Sequence, residues 1–515
     1  MNPLEGLMHG LGLALTPELL LAALIGALAG TLIGVLPGLG PVAGAALILP
    51  LTFAYDPAVG LIMIAGVYLG AQYGGSTTSV LLNIPGDASA VVATFDGHKM
   101  TKAGRGGAAL TIMAFGSFIA GCIGVVILLL TIPVVSGVAL EFGAPEFLAI
   151  TGGGLLLLAR ISGGSLGSGL LPMVLGLALA TVGAEQTQSY NRFTFGNLDL
   201  TLGIALAPVA VGIYGISEML YMLEDKDKSK APIRVRMKEL LPTRRELRRA
   251  SAPWLRGSLL GFLFGILPGP SATLSTFASY KLEKSISRRP EEFGKGAVEG
   301  VAGPEAANNS AAIGSIVPVL MLGLPFSATL ALMISAMTVQ GIEPGPLLMT
   351  QQPDLFWSIV AAVLVANFML LVLNLPLVGM WVRVLRTPIH FLVPAIMLLA
   401  VIGAYSINNN FIDVRIMLAM GVVGYVLRKL NFSLASLLVG LVLGPLVEKY
   451  FVQSMLISGG DVSEVVFASP IAIGTWLLVA AVLVLSPVAA AVKRRRLKNR
   501  GLVEPPVVLE DADAR

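Results

Sequence analysis

Long apolar runs, separated by short polar turns, fill the chain from Leu19 to Val492. A run such as Leu19 to Leu36 is close to the roughly 20 residues that cross a bilayer as one helix. Others do not fit that length. Val59 to Ala93 is too long for one straight span, and Ser271 to Lys281 is too short to cross. Discontinuous and re-entrant helices are therefore expected beside straight ones. The pattern predicts an all-α polytopic membrane protein with about a dozen transmembrane segments.

The interruptions recur. Gly34 to Pro41 returns as Gly265 to Ala272, 231 positions later. The polar run Gly70 to Thr78 is answered by Gly303 to Ala311, Asn83 to Ala90 by Gly323 to Ala328, and Pro145 by Pro388. Corresponding turns have opposite charge character. The turn at Asp56 matches basic Lys281 to Lys295, His98 to Arg105 matches the turn at Glu343, and Glu141 to Glu146 matches Arg383 to Arg386. Basic loops stay on the cytoplasmic side, so the two halves are expected to lie upside down to one another. The expected division is a first inverted repeat over 1–222, a basic linker over 223–256, a second repeat over 257–455, and an extra helix with a tail over 456–515.

Composition narrows the class. Of 515 residues, 55% are hydrophobic and 12% charged, about half the charge of an ordinary soluble chain. A water-soluble multidomain enzyme is excluded. The net charge is +4, yet Leu223 to Arg256 alone carries eleven Lys/Arg against five acids. That loop and the tail Lys493 to Arg500 read as cytoplasmic, with the N-terminus periplasmic and the C-terminus cytoplasmic in an inner membrane. Residues 226–249 contain no aromatic side chain to stack bases, so anionic lipid is the expected partner and nucleic acid is not. The first 30 residues have no Lys or Arg, which argues against a cleaved signal peptide. Cys122 is the single cysteine, and His9, His98 and His390 have no metal-ligand spacing. No metal or cofactor is expected. No Walker-type Gly-x-x-x-x-Gly-Lys-Ser/Thr segment occurs either, so ATP hydrolysis is not expected.

Two kinds of feature could carry chemistry: the Pro-Gly breaks, and clusters of hydroxyl and amide side chains. A broken helix leaves backbone N–H groups unpaired, and its N-terminal dipole favours an anion. The candidate substrate-binding residues at the breaks are Pro37, Gly38 and Gly40, Pro85 and Gly86, Pro268, Gly269 and Ser271, and Pro325 and Ser327. Ser76, Thr77, Thr78, Asn308, Asn309 and Ser310 can add side-chain donors. Glu305 is the sharpest ionisable candidate, able to bind a coupling cation, relay a proton or cap a half-helix. Asn308 can join it on the cation, and Asp87 can do so or act as an N-cap. Gly30-x-x-x-Gly34 and Gly257-x-x-x-Gly261-x-x-x-Gly265 read as close helix packing. Arg160 and Glu218 read as span-end residues, and His98 as a solvated member of a basic turn.

At Gly34 to Pro41, Tyr68 to Asp87, Gly265 to Thr273 and Gly294 to Ala328 the chain resembles the large permease subunit of the tripartite tricarboxylate transporters, the TctA family. The resemblance runs from about residue 19 to the last span. It implies a small four-helix membrane subunit (TctB-like) and a periplasmic solute-binding protein (TctC-like) as partners. It also implies citrate or related carboxylates as substrate, and an ion gradient, usually sodium, as energy source. One departure is Phe326, where the family commonly has Gly after Pro. Coupling fits the energetics, since importing a trianion against 100 mV costs about 7 kcal/mol. The rival readings are an intramembrane enzyme, which lacks a nucleophile, base or metal set, and a passive anion channel, which would not depend on a cation gradient.

Overall fold

The computed structural model describes residues 2–36, 39–139, 141–162, 166–185, 190–224, 241–384 and 389–499. Pro37, Gly38 and residues 225–240 of the basic linker lie outside these. The described chain is almost entirely helical; its strands are the two-residue pair Gly183–Ala184 and Asn191–Arg192. The first half contains α1 (Pro3–Ala14), α2 (Pro17–Val35), α3 (Gly40–Thr52), α4 (Pro57–Leu82), α5 (Val91–Lys102), α6 (Gly106–Ala139), α7 (Ala144–Ser162), α8 (Leu166–Ala180) and α9 (Leu206–Glu224). The second contains α10 (Arg244–Ile266), α11 (Ser271–Ile286), α12 (Glu299–Gly314), α13 (Ile316–Leu322), α14 (Ala328–Val339), α15 (Pro353–Asn374), α16 (Ile389–Asn408), α17 (Phe411–Lys429) and α18 (Leu434–Ile457), followed by α19 (Pro470–Asn499). Among the described residues six helices are long and apolar enough to cross a membrane: α2, α4, α6, α9, α15 and α18. Helix α10 starts inside the stretch read as linker, because Thr243 and Glu246 form a reciprocal capping box there.

Small residues set the packing. A Cβ added at Gly26, Gly30 or Gly34 of α2 would overlap the backbone of Met63, Val67 or Ala71 on α4. On α10, Gly257, Gly261 and Gly265 meet Gly303, Ala307 and Ala311 of α12 in the same manner. These glycine ladders match at an offset of 231 between α2 and α10 and of 240 between α4 and α12. The second offset persists past the helix ends. Asn83 and Gly323 both cap their helices in the left-handed region, at φ 60° and 69°, where glycine and asparagine carry the least strain. Asp87 and Ser327 then each accept a hydrogen bond from the amide three residues on, Ala90 at 3.0 Å and Leu330 at 3.3 Å. This register pairs Gly70 with Ser310, not with Gly303. The polar runs are therefore seven residues out of step, close to two helical turns, a slip that preserves the face and hides in sequence.

Helices are exchanged between the halves. Helix α6 packs on α10 and α12, while α15 packs on α2 and α4; α8 runs along α18, and α17 along α9. Helix α4 is buried along almost its whole length, whereas much of α6 is exposed on the outer surface. The main hydrophobic core gathers around α4, with buried residues of α2, α3, α9, α14, α15 and α17.

Candidate functional site

Described residues at or beside each of the four breaks line one cavity of about 540 Å³. Its wall includes Gly40, then Pro85, Gly86 and Asp87, then Gly269 and Ser271, and finally Phe326 and Ser327. The first turns of α3, α5, α11 and α14 therefore border the same space. Pro268 and Pro325 do not line the cavity, and Pro37 and Gly38 lie outside the described residues. Each break follows from local chemistry. Leu36 and Leu267, 231 positions apart, leave their helices with extended backbone at ψ 118° and 144°, and the prolines that follow cannot resume the ladder.

The second and fourth breaks differ most in bulk at the residue after proline, Gly86 against Phe326. A Cβ at Gly86 would overlap the Gly75 backbone, so this turn lies flat on α4. At the matched position the Phe326 ring lies beside Gly154 of α7, in a cluster with Leu155 and Leu158 of α7 and Val439 of α18. The departure seen in the sequence thus fills one side of the cavity that the first half leaves open.

The hydroxyl and amide clusters sit elsewhere. Neither Ser76, Thr77 and Thr78 nor Asn308, Asn309 and Ser310 lines the cavity; all are buried inside the continuous helices α4 and α12. Thr77 donates to the Tyr73 carbonyl at 3.2 Å, Thr78 to Gly75 at 2.8 Å, and Ser310 to Ser258 at 2.7 Å. The first two back-bond within α4 and the third crosses to α10, so each hydroxyl is satisfied inside the helix pack. Glu305 lies in the second turn of α12. Ser76 and Ser117 each donate to its carboxylate at 2.8 Å, and Asn309 at 2.9 Å. No ion pair involves Glu305 among the described residues. Close by on α12, the buried Asn308 side chain has no partner for its nitrogen or its oxygen among the described residues. Tyr68 contacts Ser315 at 3.2 Å and Ser76 contacts Glu305. Advancing along α4 therefore retreats along α12, so these matched helices run antiparallel.

The cavity also contains residues that sequence reasoning passed over. Tyr68 and Gln72 of α4 face it, and the Gln72 carbonyl oxygen lacks a partner among the described residues. Glu218 and Arg428 line it too and form an ion pair, which corrects the span-end reading of Glu218. A π-helical stretch, Val211–Ile216, ends two residues before Glu218 within the same helix. Arg160 does fall in the last turn of α7. His98 is not solvated: it is buried on α5, with Nδ1 at 3.0 Å from the Val80 carbonyl oxygen. Asp87 accepts from the Ser89 hydroxyl at 2.9 Å and from the Ala90 amide, a cap on the turn that starts α5. Among the described residues no cluster of His, Cys, Asp or Glu could hold a metal ion.

A multi-pass helical protein whose interrupted helices surround an internal cavity belongs, by architecture, with membrane transporters. The comparisons with known proteins make the class specific. The chain belongs to the tripartite tricarboxylate transporter TctA family, whose model matches residues 20–439. It is a transport protein rather than an enzyme, and the family places it in a three-part system with TctB and TctC partners. It is 44% identical over 487 residues to an uncharacterized 52.8 kDa protein in the TAR-I ttuC' 3' region of Agrobacterium vitis, covering 94% of this chain and 97% of that one. It is also 50% identical over 212 residues to an uncharacterized protein in the TAR-II ttuC' 3' region of the same organism, covering 41% of this chain and 87% of that one. No solved structure matches.

Proposed function

We propose that the chain is the permease of a cation-coupled secondary importer of tricarboxylates or related carboxylates, working by alternating access in a bacterial inner membrane. The observation that carries this reading is the convergence of four helix starts on one cavity. Each start contributes roughly half a positive elementary charge and unpaired amides, which suits a carboxylate. Gly40, Gly86, Gly269, Ser271 and Ser327 bind it directly, with Pro37, Gly38, Pro85, Pro268 and Pro325 shaping the turns. Ser76, Thr77, Thr78, Asn308, Asn309 and Ser310 belong to the shell between the halves that moves during transport.

Two inverted copies are supported by the paired glycine ladders and by the antiparallel run of α4 and α12. Charge supports coupling. Among the described residues the wall carries the acids Asp87 and Glu218 against one guanidinium, Arg428, so a trianion needs accompanying cations. Glu305, Asn308 and Asp87 are the proposed coupling-ion groups, and sodium is the proposed ion. A periplasmic binding protein delivers the substrate, a small four-helix subunit completes the assembly, and the C-terminus is cytoplasmic.

Uptake of labelled citrate into proteoliposomes holding all three components tests this. A sodium gradient should drive accumulation, and replacing Pro268 and Gly269 together should abolish it. Flux that ignores every cation gradient would instead mean a channel.

A further inference from the structure

Among the described residues that line the cavity, Arg428 is the one cationic side chain. It ends α17 in the second half, and its partner Glu218 stands on α9 in the first. The guanidinium carbon lies 4.3 Å over the Tyr221 ring, a stacked pose in which the planar fork meets the Glu218 carboxylate. The Glu218 side chain is 7% exposed, whereas that of Arg428 is 36% exposed. Both line the cavity, and the cation is the more exposed of the two.

Structural need does not explain the pair. Backbone contact of Gly212 with Met417 and of Gly424 with Ile213 already joins α9 to α17. At the same helix ends, outside the cavity lining, Glu224 accepts from Lys429 at 2.6 Å and from Tyr425 at 2.8 Å. The interface is tied without Arg428. What Glu218 offers the guanidinium is a carboxylate, the same group a carboxylate substrate brings.

We propose that Arg428 is the carboxylate-recognising residue of the cavity and that Glu218 is its internal stand-in, displaced when substrate enters. The inference rests on the carboxylate reading above. Exchange of one carboxylate for another avoids leaving a desolvated cation unpaired in the empty cavity. Glu218 thereby competes with substrate, and the apparent affinity is reduced by the fraction of time Arg428 is covered.

The test is equilibrium binding of labelled citrate, malate and succinate to the purified full-length protein. Glu218→Gln should tighten binding about tenfold. Arg428→Gln and the double variant Glu218→Gln/Arg428→Gln should both weaken it at least about thirtyfold. Lys429→Gln, outside the cavity, should bind as the parent does. If Arg428→Gln alone fails to fold with Glu218 buried and unpaired, the double variant, lacking both charges, gives the reading. Parent-like affinity in either Arg428 variant would overturn the proposal, since a purely structural pair predicts that removing both charges restores binding. Weakened binding in Glu218→Gln would overturn it as well. If the parent binds none of the three acids, the carboxylate reading falls too, whereas citrate binding that ignores Arg428 overturns this inference alone.

Discussion

Replacing Glu305 separates a structural carboxylate from a working one. Its three side-chain donors, Ser76, Ser117 and Asn309, lie 2.8, 2.8 and 2.9 Å away. Orphaning three buried donors at about 1–3 kcal/mol each would be severe, but the surroundings limit the loss. Ser76 and Ser117 sit within helices and can turn back to a carbonyl of the preceding turn, as Thr77 does to Tyr73. Asn309 retains the Glu305 backbone carbonyl at 3.2 Å and the Ser117 hydroxyl at 2.8 Å. Glu305→Ala should therefore cost about 2 kcal/mol. Glu305→Gln should cost less than about 1 kcal/mol, because its amide oxygen can still accept and its nitrogen can donate to a hydroxyl. Transport should respond in the opposite proportion. Gln carries no charge to hold a cation, so cation-driven citrate accumulation should fall at least about tenfold while citrate binding persists. Thermal unfolding in detergent and gradient-driven uptake in proteoliposomes measure the two effects. Parent-like uptake by Glu305→Gln, with unchanged cation dependence, would refute the coupling role.

Three further outcomes follow from the packing and the surface charges. Gly30→Ala should destabilise by about 1–3 kcal/mol, because the new methyl meets the Val67 backbone; Gly12→Ala on α1, with open space around it, should be neutral or slightly stabilising in the same melt. Asp96→Ala should loosen the joint between α5 and the segment before α12, since Asp96 accepts from the Gly294, Gly296 and Ala297 amides at 2.7–2.8 Å and from Tyr280 at 2.9 Å; faster hydrogen exchange at residues 294–297 would show it. Burial pushes the Glu246 carboxyl up, but the Thr243 amide and hydroxyl and the Arg105 guanidinium outweigh that and hold it below the usual range. Its stabilising effect is thus complete at neutral pH and lost as pH falls through that lowered value, so the stability gap between parent and Glu246→Gln should close in acid.

The breaks were legible because Pro with Gly, or a left-handed cap, is a local instruction that neighbouring helices cannot override. The cavity wall followed from them at Gly40, Pro85, Gly86, Gly269, Ser271 and Ser327. Arg428 and Glu218 were hidden because their meaning arises only when α17 and α9, from different halves, lie side by side; each alone looks like a charge at the end of an apolar run. The clusters at Ser76 and Asn308 were visible, but their direction was not. A hydroxyl that back-bonds within its helix has the same sequence as one that faces a ligand, and only packing tells them apart. His98 is of the same kind: a basic neighbourhood reads as solvated until the Val80 carbonyl is found beside it.

The most direct measurement is substrate protection of two single cysteines, Ser271→Cys and Ser327→Cys, each in a Cys122→Ser background and labelled with a charged thiol reagent. These positions belong to different breaks and to one cavity wall. Citrate with sodium should slow labelling at both sites together, with the same concentration dependence. Protection at only one site, or at neither while citrate demonstrably binds, would contradict a shared anion site.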